Sequence, residues 1–380
     1  MIESSSEAAL FVDTARAFLD KHAALSHQRA LHAQHRSWDR QWWAQAAELG
    51  WAGLLVPEEL GGGSASASGL HDLAAIAEAI GRTAGPGPLY PVSTVLAGLV
   101  DAEDRDAHAE TIAALASGEL VATWAADEPG RAFRPHQPSV TATATSNGYR
   151  LRGVKDRVEA GAQADLMLVG ARTDDGALRQ FLIGADAPGV TVVAQPCLDL
   201  VKQYARIELN DVEIEPTAVV GGAAQTPQLI DRQTQVAIAL MCAETVGILD
   251  TVLTMTIEWC RDRYSFGRPL ASYQALKHRL ADMTLWLHAG RGIVAGALDK
   301  MAARTPDAAL WAGAAKSYLG EHAGLLVQEC VQLHGGIGVT WEHDLHVYLR
   351  RITLYANLFG TAAEHHQAIF RAASATEPAA

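Results

Sequence analysis

Basic side chains are scarce in this sequence of 380 residues, where 30 Lys and Arg stand against 43 Asp and Glu and leave a formal net charge of −13. This balance provides no broadly basic face for nucleic acid or an anionic membrane. No uninterrupted apolar run approaches the ~20 residues of a membrane-spanning helix, and no basic stretch followed by an apolar one begins the sequence. We therefore expect a cytoplasmic protein that binds neither nucleic acid nor membrane.

Cysteine is also rare, and no two cysteines have the CxxC spacing of a metal or redox site. The four are Cys197, Cys242, Cys260 and Cys330. Each has apolar neighbours, so we expect four buried free thiols. A ligand set of His343, Asp344 and His346 is conceivable, but histidines at this spacing would need further ligands. We predict no metal site.

The hydrophobic periodicity changes twice along the chain. Up to residue 118, apolar residues recur every three or four positions, which predicts helices. Residues 119–220 hold seven short β-branched runs separated by Gly, Asn, Asp and Pro, which predicts a β-barrel or sandwich. The helical pattern then returns in long segments that are typical of a bundle. The sequence thus predicts an α+β fold with an N-terminal helical domain (1–118), a middle β domain (119–220) and a C-terminal helical bundle (221–380).

Eight segments carry the helical pattern. They are residues 8–22, 38–49, 70–80, 226–261, 273–304, 307–333, 343–356 and 361–373. The fourth has a clear start, because Thr226 supplies a hydroxyl N-cap and Pro227 follows at the first helical position.

Two segments could contact a ligand. In QLHGGIG (332–338), Gly335, Gly336 and Gly338 follow a helix that one glycine would suffice to end. Their backbone amides could instead line a pyrophosphate or an adenine, and the segment alone leaves both interpretations open. In RDRYSFGRPLASYQ (261–274), a guanidinium, a phenyl ring and an amide surround one bend, although a loop with solvated charges would give the same pattern.

Together these segments resemble the acyl-CoA dehydrogenase family, whose RxxFGxP, QxxKHxLADM and QLHGGIG motifs stand here in the family's order. Similarity at 48–63, 128–130 and 148–173 extends the resemblance over nearly the whole chain. It implies an FAD cofactor, an acyl-CoA substrate that undergoes α,β-dehydrogenation, and an electron-transfer flavoprotein or similar acceptor. It also implies a set of cofactor-binding residues. They are Arg263, Phe266, Gln274, Gln332, Gly335, Gly336, Gly338 and Thr361.

The resemblance fails at the catalytic base. Phe359 stands where the commonest family pattern has Glu before Gly-Thr, and Ala237 stands where a second pattern has it in the long helix. An arginine that usually follows the second position is Ile238 here. Neither a phenyl ring nor a methyl group can accept the substrate's α-proton. Glu244, the next acid on that helix, could be a displaced base or a polar structural partner.

Positions near the flavin ring differ as well. Asp127 replaces a threonine before EPG, Arg157 and Glu159 replace the ends of a Trp-x-Thr, and Ala363 replaces a polar residue. Carboxylates there would oppose the negative charge of a reduced flavin. The chain thus keeps the residues that would contact the flavin of a neighbouring subunit. It lacks the residues that would hold a flavin of its own. This pattern resembles the partner subunit of bacterial hetero-oligomeric acyl-CoA dehydrogenases, which act on bulky CoA thioesters such as steroid side chains.

Two other functions stay open on the sequence. One is a self-sufficient homomeric dehydrogenase that uses Glu244 as its base. The other is a non-catalytic paralogue that binds no flavin productively, although the retained Arg263, Gln274 and Gln332 argue mildly against it.

Overall fold

The computed structural model describes residues 6–34, 37–66 and 68–376. Helices come first along the chain, then strands, then long helices, so the predicted α+β architecture is confirmed. The three domain limits themselves stay a prediction.

Over the described residues, six helices precede the sheet, of which only three were predicted. They are α1 (Ser6–His22), α2 (Leu25–Ala33), α3 (Arg40–Glu48), α4 (Gly69–Thr83), α5 (Leu89–Asp101) and α6 (Ala109–Ala116). Helix α5 escapes periodicity analysis because every residue from Leu89 to Leu99 is buried, which leaves no polar face to mark the period. Its Pro91 lies in the first turn, where proline is tolerated.

All seven predicted strand runs form strands of one mixed sheet. They are β1 (Ala122–Ala125), β2 (Thr141–Thr145), β3 (Gly148–Glu159), β4 (Leu166–Thr173), β5 (Leu178–Gly184), β6 (Val190–Gln195) and β7 (Tyr204–Ile214). A short eighth strand, β8 (Val219–Val220), completes the order β6-β7-β3-β2-β4-β5-β8, while β1 pairs in parallel with β4. Alternate residues of the long β3–β7 pair, such as Leu151 and Ile207, are fully buried in its core.

The second group of helices matches the predicted segments to within three residues at each end. It comprises α7 (Thr226–Asp262), α8 (Gln274–Ala302), α9 (Ala308–His334), α10 (Leu345–Tyr355) and α11 (Ala362–Thr376). A hairpin of two very short strands, β9 (Tyr264–Ser265) and β10 (Arg268–Pro269), joins α7 to α8 and was not predicted. A 3₁₀ turn, Gly335–Val339, follows α9.

By length and composition alone, α7 could cross a membrane, because an 18-residue window in it has a mean hydropathy of 1.9. This differs from the expectation of no span-length apolar segment. However, 89% of that window is buried inside the protein, which is the position of a bundle's core helix.

The chain forms two compact units, each assembled from separate segments. The first contains the described residues of Met1–Asp13, Ala30–Leu73 and Pro86–Ala237, and the second contains Thr14–Arg29, Ala74–Gly85 and the described residues of Ile238–Ala380. In the second unit, α4 and α7 approach closely at two glycines. A β-carbon on Gly81 would lie 2.1 Å from the Glu244 carbonyl oxygen, and one on Gly247 would lie 2.0 Å from that of Glu78.

The cysteines are all free thiols. Cys242, Cys260 and Cys330 are buried as expected, and burial raises the pKa of the Cys242 thiol to about 12. The expectation is wrong for Cys197, which is only half-buried because it follows β6 in a loop.

Candidate cofactor site

A groove of about 570 Å³ lies in the second unit, where the end of α7, the β9–β10 hairpin and the end of α9 meet. Four of the predicted cofactor-binding residues line it. They are Arg263, Gln332, Gly335 and Gly336. The fold therefore brings together residues that lie some seventy positions apart in the sequence.

The polar groups of this groove are available to a ligand. The Arg263 guanidinium lies 5.8 Å from the Trp259 ring centre, and its side chain forms no hydrogen bond or ion pair with the residues that the structure describes. The exposed Gln332 amide likewise lacks a hydrogen-bond partner among them. An unpaired guanidinium next to an amide suits a phosphate group and its neighbouring oxygens.

The three glycines have different roles. Gly335 has φ of 65°, a left-handed conformation that ends α9 and favours glycine. A β-carbon on Gly336 would meet no atom within 4 Å, so the chain's own packing does not require glycine there. A β-carbon on Gly338 would lie 2.7 Å from the Val331 carbonyl oxygen, so packing does require it. Of the three, Gly336 is the one at which neither a positive φ nor packing requires glycine.

Two aromatic residues that the sequence analysis missed form one wall. The His334 ring stacks on Trp259 with centres 5.2 Å apart, and its Nδ1 donates to the Cys330 carbonyl oxygen at 2.8 Å. Burial lowers the pKa of His334, which favours the neutral form of the ring. The spacing contained a signal, because Arg263 directly follows α7 and Trp259 lies one helical turn before it.

The other predicted cofactor residues lie outside the groove lining. Phe266 is at the tip of the hairpin with 97% of its surface exposed, and Gln274 is exposed as the first residue of α8. Thr361 directly precedes α11, and its amide and hydroxyl both donate to Glu364, at 2.8 and 2.9 Å. This is a capping-box arrangement that already occupies the hydroxyl.

Glu244 is fully buried among polar partners from α10. Its carboxylate forms an ion pair with Arg351, and the Tyr355 hydroxyl donates to its second oxygen. Arg351 is also fully buried and donates to the Ala84 carbonyl oxygen at 3.3 Å. A carboxylate held by two buried donors is poorly placed to collect a substrate proton, so these contacts support a structural role for Glu244.

No carboxylate occupies the two positions of the family base. Ala237 and Ile238 are buried on α7. Phe359 is half-buried at φ of 53°, and its carbonyl oxygen accepts from His365 Nε2 at 2.9 Å. The loop after α10 therefore holds residue 359 in a conformation uncommon for side chains larger than glycine.

The two carboxylates that replace family residues near the flavin ring, Asp127 and Glu159, have cationic partners. The sequence analysis did not anticipate these partners. Asp127 pairs with Arg157 at 3.1 Å, and burial raises its pKa despite that partner. Glu159 pairs with Lys202 at 2.6 Å. Neither side chain is free to contact a cofactor without breaking a buried or partly buried ion pair.

The conceivable metal ligands are engaged elsewhere. Asp344 forms an ion pair with Arg29, His346 Nε2 donates to the Trp341 carbonyl oxygen at 3.1 Å, and His343 Nδ1 accepts from the backbone of α10. Over residues 6–34, 37–66 and 68–376, no three His, Cys, Asp or Glu side chains are grouped to hold a metal ion.

The hydrogen-bond donors of the groove suit a dinucleotide. Among the described residues, the Arg263 guanidinium and the Gln332 amide have no partner, and the backbone at Gly336 is open to a ligand. These features, together with the helix–sheet–helix order, define the class of FAD-dependent acyl-CoA dehydrogenases. The chain belongs to the acyl-CoA dehydrogenase family, because residues 5–119 match the family's N-terminal domain and residues 230–374 its C-terminal domain. Members of this family are FAD-binding flavoproteins.

Similar proteins cover almost the whole chain. The sequence is 31% identical to acyl-CoA dehydrogenase IpdE2 of Mycobacterium tuberculosis over 340 residues, which cover 89% of this chain and 88% of that one. The ChsE4-ChsE5 complex of Mycobacterium tuberculosis contains a chain with 28% identity and a TM-score of 0.86, and the match covers 99% of both. The Tcur3481-Tcur3483 steroid ACAD (G363A variant) gives 26% identity and a TM-score of 0.85, and the match covers 98% of this chain and 99% of that one.

Proposed function

We propose that this chain is one subunit of a hetero-oligomeric acyl-CoA dehydrogenase and that it binds the dinucleotide end of an FAD seated mainly in a second, dehydrogenase-like chain. The enzyme would carry out α,β-dehydrogenation of a CoA thioester. The observation that carries this proposal is the open groove, in which Arg263 and Gln332 have no partner among the described residues.

The residues of the groove would act by binding and orientation. Bound FAD supplies the acceptor for the hydride that leaves the β-carbon of the acyl group. Arg263 would pair with phosphate charge, Gln332 would hydrogen-bond to neighbouring oxygens, and Gly336 would let the backbone approach. Because neither side chain has a hydrogen-bond or ion-pair partner among the described residues, binding breaks no ion pair within them.

A second chain is needed because the residues at the positions of the catalytic base and of the flavin-ring contacts cannot perform those roles. Phe359 and Ala237 cannot accept a proton, and Glu244 is committed to Arg351. Asp127 and Glu159 are committed to Arg157 and Lys202. A partner that supplies the base and the ring contacts would complete the site, and two of the similar structures carry names of paired chains.

The substrate proposed is a bulky acyl-CoA such as one with a steroid side chain, and the acceptor is an electron-transfer flavoprotein or similar protein. A similar structure is described as a steroid ACAD, which supports this substrate class. A self-sufficient enzyme with Glu244 as base is less well supported, because that carboxylate has no exposed surface.

Replacing Arg263 tests the proposed role of the groove. Arg263→Gln removes the phosphate partner and should weaken FAD binding by the assembled pair by about ten- to a hundredfold, since a charge-assisted hydrogen bond contributes roughly 1.5–3 kcal/mol. The unfolding midpoint should not change. Arg261→Gln is the matched control, because Arg261 is exposed in the last turn of α7, two residues before Arg263, but does not line the groove. Equal FAD affinity in both variants, measured by fluorescence titration, would contradict the assignment.

A further inference from the structure

Lys316 is a buried lysine that the proposed function does not use. It lies on α9 with 3% of its surface exposed, and its Nζ donates to the carbonyl oxygens of Tyr355 and Ala356, at 2.9 and 3.4 Å. These carbonyls belong to the end of α10, where the helix dipole favours a cation. An ammonium group has three N–H donors, and the third of Lys316 has no acceptor among the described residues.

The charge of Lys316 has no carboxylate partner in the part of the chain that the structure describes. Burial lowers the pKa of its amine to about 8, so the ammonium form still predominates at pH 7. The carboxylate with the largest influence on it is that of Glu364, which is exposed on α11 and forms no ion pair with it. The buried carboxylate of Glu244 is already paired with Arg351. A buried cation without an anionic partner is costly, and a small anion would reduce that cost.

A small cavity adjoins the Lys316 amine between α7, α9 and α10. Its volume of about 10 Å³ admits one particle of the size of a water molecule. Four apolar side chains line it, which are Met241, Leu319, Ala323 and Ile352. Gly320 and Ala356 also line the cavity and are partly exposed, so it lies near solvent.

The polar side chains that remain free in this cavity are donors. The Thr245 hydroxyl lines the cavity but already donates to the Met241 carbonyl oxygen at 2.8 Å. The remaining donors are the third N–H of Lys316 and the thiol of Cys242, which stays protonated because burial raises its pKa to about 12. A buried water molecule needs acceptors as well as donors. Two donors beside an apolar wall therefore suit a halide better than water.

We propose that this cavity binds one monovalent anion of the size of chloride, held by the ammonium of Lys316 and the thiol of Cys242. The ion neutralises the buried ammonium and joins α7, α9 and α10 at one point. This inference does not involve the dinucleotide groove or a second chain, so its test is separate from that of the proposed function.

The stability of the full chain in chloride tests the site in solution. At pH 7 and constant ionic strength, replacing gluconate by about 0.5 M chloride should raise the unfolding midpoint by roughly 2–4 °C, because an anion that binds only the folded chain stabilises it. Lys316→Met should abolish this shift. Lys21→Met is the matched control and should keep it, because Lys21 is exposed on α1. Cys242→Ala keeps the ammonium and should reduce the shift, which provides a second test if Lys316→Met does not fold.

Bromide then locates the ion. Crystals soaked in bromide should show an anomalous peak beside Nζ of Lys316, and this peak should be absent from Lys316→Met. A peak without a chloride-specific shift in solution means an adventitious ion only and overturns the inference. An equal shift in the wild type and Lys316→Met, or a water molecule in the cavity that bromide does not replace, overturns it as well.

Discussion

At the scale of single residues, the contacts of Glu244 decide what this acid can do. Its carboxylate and the guanidinium of Arg351 are both fully buried, and Tyr355 supplies a further hydrogen bond. Removing one member of such a pair leaves the other charged and without compensation in a low-dielectric surrounding. Glu244 and Arg351 are thus best explained as a polar link between α7 and α10.

Glu244→Gln should therefore destabilise the protein, by about 3–5 kcal/mol. Chemical denaturation of the variant and the wild type would measure the difference. Glu258→Gln provides the control, because Glu258 is an exposed acid on the same helix and its replacement should change the free energy of unfolding by less than about 0.5 kcal/mol. A stable Glu244→Gln variant whose assembled enzyme has lost its dehydrogenase activity would instead favour the displaced base.

Sequence reasoning found the exceptional residues but not their partners. Phe359, Ala237, Asp127 and Glu159 stand out because they depart from a family pattern. The cations that pair with Glu159 and Glu244 lie 43 and 107 positions away along the chain, and no periodicity connects residues at such separations. Only the folded arrangement shows that these carboxylates are compensated.

At the scale of elements, the crossing of α4 and α7 depends on glycine. The backbones approach so closely that a β-carbon at either Gly81 or Gly247 would overlap a carbonyl oxygen of the facing helix. Backbone atoms cannot rotate away as a flexible side chain can, so a methyl group there would push the helices apart.

Gly247→Ala should lower the free energy of unfolding by about 2–4 kcal/mol through this overlap. Gly324→Ala is the matched test, because Gly324 lies within α9 and a β-carbon there would meet no atom within 4 Å. That change should stabilise the protein by about 0.5–1 kcal/mol through helix propensity alone. Denaturant titration of both variants checks the pair, and a loss of stability in both would disprove the packing explanation.

The elements that periodicity predicts are those with one buried face. Helices α7 to α11 and the seven longer strands fall into this group. Helix α5 lacks the signal because all its sides are covered, and β9 and β10 lack it because two residues are too few to alternate. In the candidate site, the motif residues Arg263 and Gln332 were predictable, whereas Trp259 and His334 became evident as a stacked pair only in the fold.

At the scale of the whole molecule, the chain combines an open groove with base and ring positions that do not hold the family's residues. Arg263 and Gln332 in the groove have no side-chain partner among the described residues, whereas Asp127, Glu159 and Glu244 are paired with internal cations. A protein that used its own flavin would need side chains free to contact the flavin ring at these positions. The combination is consistent with one half of a shared active site.

The measurement that tests this account most directly is the amount of FAD per chain, read from the visible absorption spectrum. The chain would be purified alone and after co-expression with a neighbouring dehydrogenase-like gene product. The account predicts a colourless protein alone and about one flavin per pair of unlike chains, with acyl-CoA oxidation only in the pair. One flavin per chain in the isolated protein, together with acyl-CoA oxidation, would contradict it.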